Sequence, residues 1–168
     1  MPNTYYSTTD DYATGLRWYD RGSFELAAKY WDPLVEADDC DAEYHVGLMY
    51  FLGQFKQTNN EEAISLWKKA ANGNQQRAQW ALGDLYYQKH AVIYHDCRNC
   101  DIEKDLVKAY VWYRLFEKSA KYEAEKNQAK YILSKIATDI TDEQIREGDK
   151  LVIQWKPAPR DCGARNMW

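Results

Sequence analysis

Small and aromatic residues return along this chain at a nearly fixed spacing. The segment from Gly47 to Tyr50 is matched by the segment from Gly83 to Tyr86, 36 residues later, and more weakly by the segment from Gly15 to Trp18. Each copy precedes a second segment in which alanine and aromatic residues keep the same register: residues 27–31, 63–67 and 109–113. A period in this range predicts a stack of α-helix pairs, in which each pair buries its apolar face against its neighbours.

The repeated positions indicate how the paired helices pack. Gly47 and Gly83 leave room for neighbouring helices to approach closely, and Trp67 and Tyr113 are large enough to fill the space between successive pairs. We assign these residues to the core, together with the aromatic and small residues at equivalent positions of the repeats: Tyr50, Tyr86, Ala42, Ala63, Ala78 and Ala109.

Composition agrees with one folded domain. The chain has 168 residues, of which 45% are hydrophobic and 15% aromatic, so it can bury a core of ordinary size. No apolar run approaches the roughly 20 residues that span a bilayer. The first twelve residues lack the basic and apolar regions of a signal peptide. We therefore expect a cytoplasmic protein without membrane insertion, or a periplasmic one if a signal peptide has been removed.

The charge pattern argues against nucleic acid as a partner. The net charge is -4, and no basic stripe is present to neutralise phosphates. Acidic residues concentrate at the turn between the first two repeats: Asp32, Glu36, Asp38, Asp39, Asp41 and Glu43. This cluster has two interpretations, a solvated connector or a docking patch for a basic partner.

The repeated segments resemble the Sel1-like repeat family, a relative of the tetratricopeptide repeats. The best match is 42–53 with 63–71, the next is 78–86 with 109–113, and a degenerate copy covers 15–22 with 27–31. The resemblance implies an all-α fold, a right-handed α/α superhelix of about three helix-pair repeats over residues 12–155. A capping helix at 141–155 would close it, with an extension at 1–11 and a tail at 156–168. This helix opens with a capping box of Thr141 and Gln144, and we expect its apolar residues to cover the last repeat: Ile145, Leu151, Val152 and Trp155.

A second aromatic residue follows the repeated one in each first helix: Tyr19, Phe51 and Tyr87. Adjacent helical residues point about 100° apart, so both aromatics cannot face the same neighbour. Because the first helices of such solenoids line the concave surface, we interpret this ladder as a partner-binding face. Trp168 at the end of the tail either packs on the repeats or inserts into the partner.

The connector between the helices of the third repeat is ten residues longer than in the second, because Ala63 and Ala109 are 46 residues apart. The enlarged loop, residues 90–104, is the best candidate for a specialised site. Its His90, His95, Cys97 and Cys100 could complete a four-ligand zinc set, although the spacing of the two histidines is not that of a known zinc motif. A Cys97–Cys100 disulfide, free thiols or a redox pair are the alternatives.

The two remaining cysteines lie far apart in the sequence. Cys40 is at a turn and Cys162 is in the tail, so they can pair only if the tail folds back across the repeats.

We therefore predict a non-catalytic protein-interaction adaptor with no cofactor, acting as a scaffold or regulator in a bacterial assembly through the aromatic ladder and the 90–104 loop. Two alternatives remain: an immunity protein that neutralises a secreted toxin of the phospholipase type, as the family resemblance also implies, and a metal- or redox-active protein centred on Cys97 and Cys100.

Overall fold

The computed structural model describes residues 8–88, 102–160 and 162. The described residues form α-helices and no strand. The helices are α1 (Thr8–Asp20), α2 (Phe24–Glu36), α3 (Cys40–Leu52), α4 (Asn60–Asn72), α5 (Gln76–Tyr87), α6 (Leu106–Ser119), α7 (Glu123–Ile136) and α8 (Asp142–Gln154). The predicted all-α helical-repeat fold is therefore confirmed. No helix in these ranges is long and apolar enough to cross a membrane.

The chain divides into two compact units. Unit 1 contains the described residues up to Gln75 together with Pro159, Arg160 and Cys162, and unit 2 contains those from Gln76 to Ala158. Unit 1 holds the helix pairs α1–α2 and α3–α4, and unit 2 holds the pair α5–α6 with α7 and α8 packed on α6.

The helix pairs of unit 1 are built around a glycine that faces a buried indole. A Cβ added at Gly47 would lie 2.8 Å from both Cδ1 and Nε1 of Trp67, and one added at Gly15 would lie 2.7 Å from Cδ1 of Trp31. Real carbon atoms do not approach so closely, because van der Waals contact begins near about 3.5 Å. Only glycine therefore allows each indole to pack this closely against the first helix of its pair.

Each indole is also fixed by a hydrogen bond in the same register. Nε1 of Trp31 donates to the carbonyl oxygen of Tyr12 at 3.2 Å, and Nε1 of Trp67 donates to that of Tyr44 at 3.0 Å. Both acceptors lie three residues before the glycine of their helix. A buried indole N–H needs a partner, and here the repeat itself supplies one.

The same arrangement recurs in unit 2 with a phenol in place of the indole. A Cβ at Gly83 would lie 3.0 Å from Cε1 of Tyr113, whose side chain is fully buried. The hydroxyl of Tyr113 donates to Oδ1 of the buried Asp84. Burial raises the pKa of Tyr113 far above its usual value, and the charge and hydrogen bond of Asp84 raise it further. The predicted core role of these repeated positions is thus confirmed, except that Tyr50 is only partly buried.

The end of unit 2 differs in part from the prediction. The capping box of α8 is present: Oγ1 of Thr141 accepts from the backbone N–H of Gln144 at 3.2 Å, and Oε1 of Gln144 accepts from that of Thr141 at 2.9 Å. Val152 is buried as predicted, but Leu151 is 46% exposed and does not help to cover the last repeat. Gly148 lies on the buried side of α8, where an added Cβ would lie 2.8 Å from Cδ1 of Tyr110.

Candidate partner-binding site

The aromatic ladder predicted on the first helices is mostly buried. Phe51 is 7% exposed and Tyr87 is 2% exposed. The ring of Phe51 packs 5.3 Å from that of Trp67, and the ring of Tyr87 lies 6.4 Å from that of Tyr113. Side chains this buried offer almost no surface to a partner, so Phe51 and Tyr87 belong to the core of their units and we leave them out of the candidate site.

Tyr19, the third member of the predicted ladder, is partly buried and acts as a support. Its ring contacts those of Phe24, Trp31 and His45 at centroid distances of 5.2, 5.4 and 5.9 Å. Its hydroxyl donates to Oε1 of Gln54 at 2.8 Å. Burial raises the pKa of this phenol, whose hydroxyl is protonated at neutral pH even without that shift. Tyr19 therefore ties α1 to the loop that follows α3.

That loop presents an aromatic side chain which the sequence did not single out. Phe55 lies between α3 and α4, is 58% exposed, and has a backbone φ of 63°. The residues on either side of Phe55 are held in place by side-chain contacts. Gln54 accepts from Tyr19, and Nζ of Lys56 lies 3.0 Å from Oδ2 of Asp32. We call residues 53–59 the Phe55 loop.

The backbone of Phe55 is held in a conformation that a bulky residue rarely adopts. The left-handed region costs about 1–2 kcal/mol for a residue with a Cβ, and it persists only where the surroundings enforce it. Lys56 adds to that enforcement, because its Nζ also lies 5.2 Å from the ring centroid of Tyr50 and its side chain is only 14% exposed. The loop thus points an apolar ring into solvent from a fixed base.

The acidic turn between the first two repeats is paired within the chain. Asp32 binds Lys56, and Oδ1 of Asp39 accepts the backbone N–H groups of Asp41 and Ala42 at the start of α3. Nζ of Lys69 lies 2.5 Å from Oδ1 of Asp38, and the hydrogen bond with Lys69 holds the pKa of Asp38 below its usual range. These contacts use much of the acidic cluster that we considered as a docking patch.

Glu43 extends this network into the interior. Its side chain is fully buried, and its Oε1 lies 2.9 Å from Nζ of Lys69 and 2.7 Å from Nη2 of Arg160. Arg160 comes from the C-terminal segment, which also forms a disulfide through Cys162 to Cys40 with a Cα–Cα distance of 5.2 Å. The tail therefore does fold back onto the repeats, as that pairing required.

The remaining predicted site residues lie outside the described residues. They are His90, His95, Cys97, Cys100 and Trp168, and the 90–104 loop is described only from Ile102. Among the side chains that the structure does describe, no group of three or more His, Cys, Asp or Glu is placed to hold a metal ion. The zinc, redox and disulfide interpretations of that loop stay predictions.

Sequence reasoning missed Phe55 and Arg160 for different reasons. Phe55 follows a glycine in a connector longer than that of the first repeat, which is a weak signal for an exposed aromatic residue. Arg160 meets Glu43 across 117 residues of sequence, and no local pattern announces such a contact.

The geometry defines an all-helical repeat protein, and comparisons with known proteins define its fold more closely. No family model matches the chain, and no curated protein sequence matches it. It is similar to the crystal structure of c5321, a protective antigen present in uropathogenic Escherichia coli strains that displays an SLR fold. The similarity covers 91% of this chain and 31% of that one, with a TM-score of 0.72 and 19% sequence identity. The chain thus has the Sel1-like repeat fold and spans about a third of that protein's length.

Proposed function

We propose that this chain is a non-catalytic adaptor that binds a protein partner, with Phe55 as an anchor residue. The observation that carries the proposal is the exposed ring of Phe55 on a left-handed backbone, fixed on both sides by contacts of its neighbours. Large aromatic side chains dominate the binding energy of many interfaces, and a residue already held in place loses little entropy on binding.

The helix-pair repeat fold supports this proposal, because such repeats present extended surfaces for other proteins. The partner would offer an apolar pocket for the ring of Phe55, rimmed by polar groups that meet the charges of Asp32 and Lys56. The 90–104 loop and Trp168 remain predicted contributors. A scaffold in a bacterial assembly and an immunity protein would use such an anchor equally well, and the identity of the partner separates these two roles.

The test is affinity capture from the native source, with the full chain as bait beside two variants. Phe55→Asn removes the ring, and asparagine adopts the left-handed backbone more readily than phenylalanine does. We expect this variant to be at least as stable as the original and to lose the partner. Tyr131→Ala is the matched control, because Tyr131 is also an exposed aromatic residue, at 61%, and lies on α7 of unit 2.

Three results bear on the proposal. A stoichiometric partner that is retained by Tyr131→Ala and lost by Phe55→Asn supports Phe55 as the anchor. A partner retained by both variants supports an adaptor function but contradicts the anchor. Absence of any stoichiometric partner with the unmodified chain contradicts the adaptor function itself.

A further inference from the structure

We propose that the α3–α4 pair carries a guanidinium-binding site, which the chain fills with its own Arg160 and which the Cys40–Cys162 disulfide keeps filled. The acceptors are the carbonyl oxygens of Asp38 and Lys69 and the carboxylate of Glu43. This inference does not depend on Phe55 or on the adaptor function.

Three acceptors bind the two terminal nitrogens of the Arg160 guanidinium. Nη1 of Arg160 donates to the carbonyl oxygen of Lys69 at 3.0 Å, and Nη2 donates to that of Asp38 at 2.5 Å and to Oε1 of Glu43 at 2.7 Å. The acceptors come from the last turn of α4, the α2–α3 turn and α3. A guanidinium has five N–H donors in a rigid plane, whereas an ammonium is a compact point charge. The site therefore selects arginine over lysine.

The buried carboxylate is an independent sign of a ligand site. The side chain of Glu43 is fully buried, and its Oε2 has no hydrogen-bond partner. Nζ of Lys69 already contacts Oε1, so Glu43 has a counter-charge even without Arg160. Nε of Arg160 is also buried without a hydrogen-bond partner among the described residues, so the carboxylate and the guanidinium meet through one oxygen and one nitrogen, and Oε2 stays available as an acceptor.

Gly73 leaves space for the disulfide beside this site. A Cβ added at Gly73, the residue after α4, would lie 2.8 Å from Sγ of Cys40 and would overlap Sγ of Cys162. The backbone φ of Gly73 is -80°, which any residue can adopt. Glycine is therefore required here for the space that the sulfur atoms occupy and not for the backbone conformation. Cys162 lies two residues after Arg160, and the bridge thus confines that guanidinium to its acceptors.

The bridge makes occupancy of the site depend on redox conditions. A dithiol reductant attacks one sulfur through its thiolate, the S–S bond breaks, and the resulting mixed disulfide is resolved by the second thiol of the reductant. The dithiol is oxidised to its disulfide, and its two electrons and two protons pass to Cys40 and Cys162, which become thiols. Arg160 is then held at the site by its own hydrogen bonds without the bridge, and an arginine side chain from another peptide can compete with it.

The experiment measures competition for the site in the full chain, with Cys97 and Cys100 replaced by serine in every protein. The probe is a fluorescein-labelled peptide of residues 156–162 with serine in place of Cys162, followed by fluorescence anisotropy. Three proteins are compared: the oxidised form, the bridge-free form Cys40→Ser/Cys162→Ser, and the empty form, which adds Arg160→Ala. Far-ultraviolet circular dichroism checks that all three are equally helical.

We expect the peptide to bind the empty form best, the bridge-free form about tenfold more weakly, and the oxidised form not at all, because tethered ligands reach effective concentrations in the millimolar range. Dithiothreitol should convert the oxidised form to the affinity of the bridge-free form. Replacing the arginine of the peptide by lysine should weaken its binding to the empty form about tenfold or more.

Several results would overturn the proposal. No binding to the empty form, or equal binding of the arginine and lysine peptides, would show that the site does not recognise a guanidinium. Equal binding to the oxidised and bridge-free forms would show that the disulfide does not control occupancy.

A second variant tests separately whether the space at Gly73 is needed for the disulfide. Gly73→Ala should slow oxidation of the Cys40/Cys162 pair in a glutathione buffer, as measured by alkylation and mass spectrometry. It should leave the unfolding temperature of the bridge-free form unchanged or slightly higher. Oxidation at an unchanged rate would contradict the role assigned to Gly73, because the disulfide would then form without the space that glycine leaves.

Discussion

Gly47→Ala tests the close approach of a helix to an indole on which the repeats are built. The new Cβ would lie 2.8 Å from Cδ1 and Nε1 of Trp67 and 3.2 Å from the carbonyl oxygen of Ala63. Trp67 is fully buried and its Nε1 donates to Tyr44, so the ring cannot retreat without weakening that hydrogen bond. Overpacking of this kind costs about 1–3 kcal/mol, and weakening the hydrogen bond costs up to about 1 kcal/mol more.

Helix propensity acts in the opposite direction. Alanine is favoured over glycine inside a helix by about 1 kcal/mol, and Gly47 lies in the middle of α3. The expected net result is a destabilisation of about 1–2 kcal/mol, which lowers the unfolding temperature by about 2–8 °C for a chain of this size. Urea unfolding followed by far-ultraviolet circular dichroism measures this loss as a shift of the midpoint.

A double-mutant cycle with Trp67→Phe identifies the cause. Phenylalanine lacks the pyrrole edge that carries Cδ1 and Nε1, so in this background the new Cβ meets mainly the carbonyl oxygen of Ala63. Gly47→Ala should then be neutral or stabilising by up to about 1 kcal/mol, because the propensity gain remains. The coupling energy between the two positions should be about 2 kcal/mol, within the range found for residues in contact.

The reasoning would be refuted if Gly47→Ala cost the same in both backgrounds. Gly83→Ala serves as the matched control, because its Cβ would lie 3.0 Å or more from the ring of Tyr113. A neighbour at that distance needs to move only a few tenths of an ångström. We expect Gly83→Ala to cost clearly less than Gly47→Ala, and a larger cost would contradict the ranking by distance.

Two further predictions concern unit 2. Tyr113→Phe removes the donor to the buried Asp84 and should destabilise the chain by about 1.5–3 kcal/mol at neutral pH, measured by urea unfolding. The pKa of Tyr113 is raised in the folded state, so its contribution to the free energy of unfolding is fully present below pH 10, its ordinary pKa, and is lost as the pH rises further. The difference in the free energy of unfolding between the two proteins should therefore narrow above pH 10. A gap that is constant up to pH 11 would contradict this account. Thr141→Ala should cost about 1 kcal/mol by removing the cap of α8, while Thr141→Ser should cost little, and hydrogen exchange at the start of α8 distinguishes a local effect from a global one.

The sequence predicted the core positions of the repeats well because those positions are local and periodic. It placed Trp67 and Tyr113 between successive pairs, whereas the structure packs each of them against the first helix of its own pair. Glycine and its facing aromatic residue keep the same register in each pair, and the structure places them in contact at Gly47 with Trp67 and at Gly83 with Tyr113. The helix α7, in contrast, was not predicted, because residues 123–136 contain no glycine and their one aromatic residue is the exposed Tyr131.

The prediction that the aromatic ladder forms a partner-binding face was wrong for Phe51 and Tyr87, for a physical reason that the sequence pattern does not show. All residues from 42 to 49 of α3 and from 81 to 87 of α5 are buried, so these stretches have no exposed face. A residue turned about 100° away from one neighbour is then turned towards another. Which helices of a repeat protein are enclosed in this way depends on their neighbours, and the pattern within a single helix cannot show it.

The connections between helices indicate where this chain departs from a regular repeat. The connections that lead from one repeat to the next, residues 37–39, 73–75 and 120–122, each contain three residues. Between the two helices of a repeat, at residues 21–23, 53–59 and 88–105, the number of residues rises from three to seven to eighteen, and residues 89–101 of the last stretch lie outside the described residues. The four extra residues of the second account for the step of 36 between Gly47 and Gly83 instead of the 32 between Gly15 and Gly47.

Insertions in helix-pair repeats collect in one kind of loop because the other kind is constrained by the stacking of successive repeats. A connection within a pair can lengthen without disturbing that stacking, and it is free to acquire a side chain that the core does not need. Phe55 lies in the first lengthened connection, and the predicted site at residues 90–104 lies in the second. Exposed, chain-specific chemistry is therefore expected at these two loops and not on the helices, whose small and aromatic positions are committed to packing.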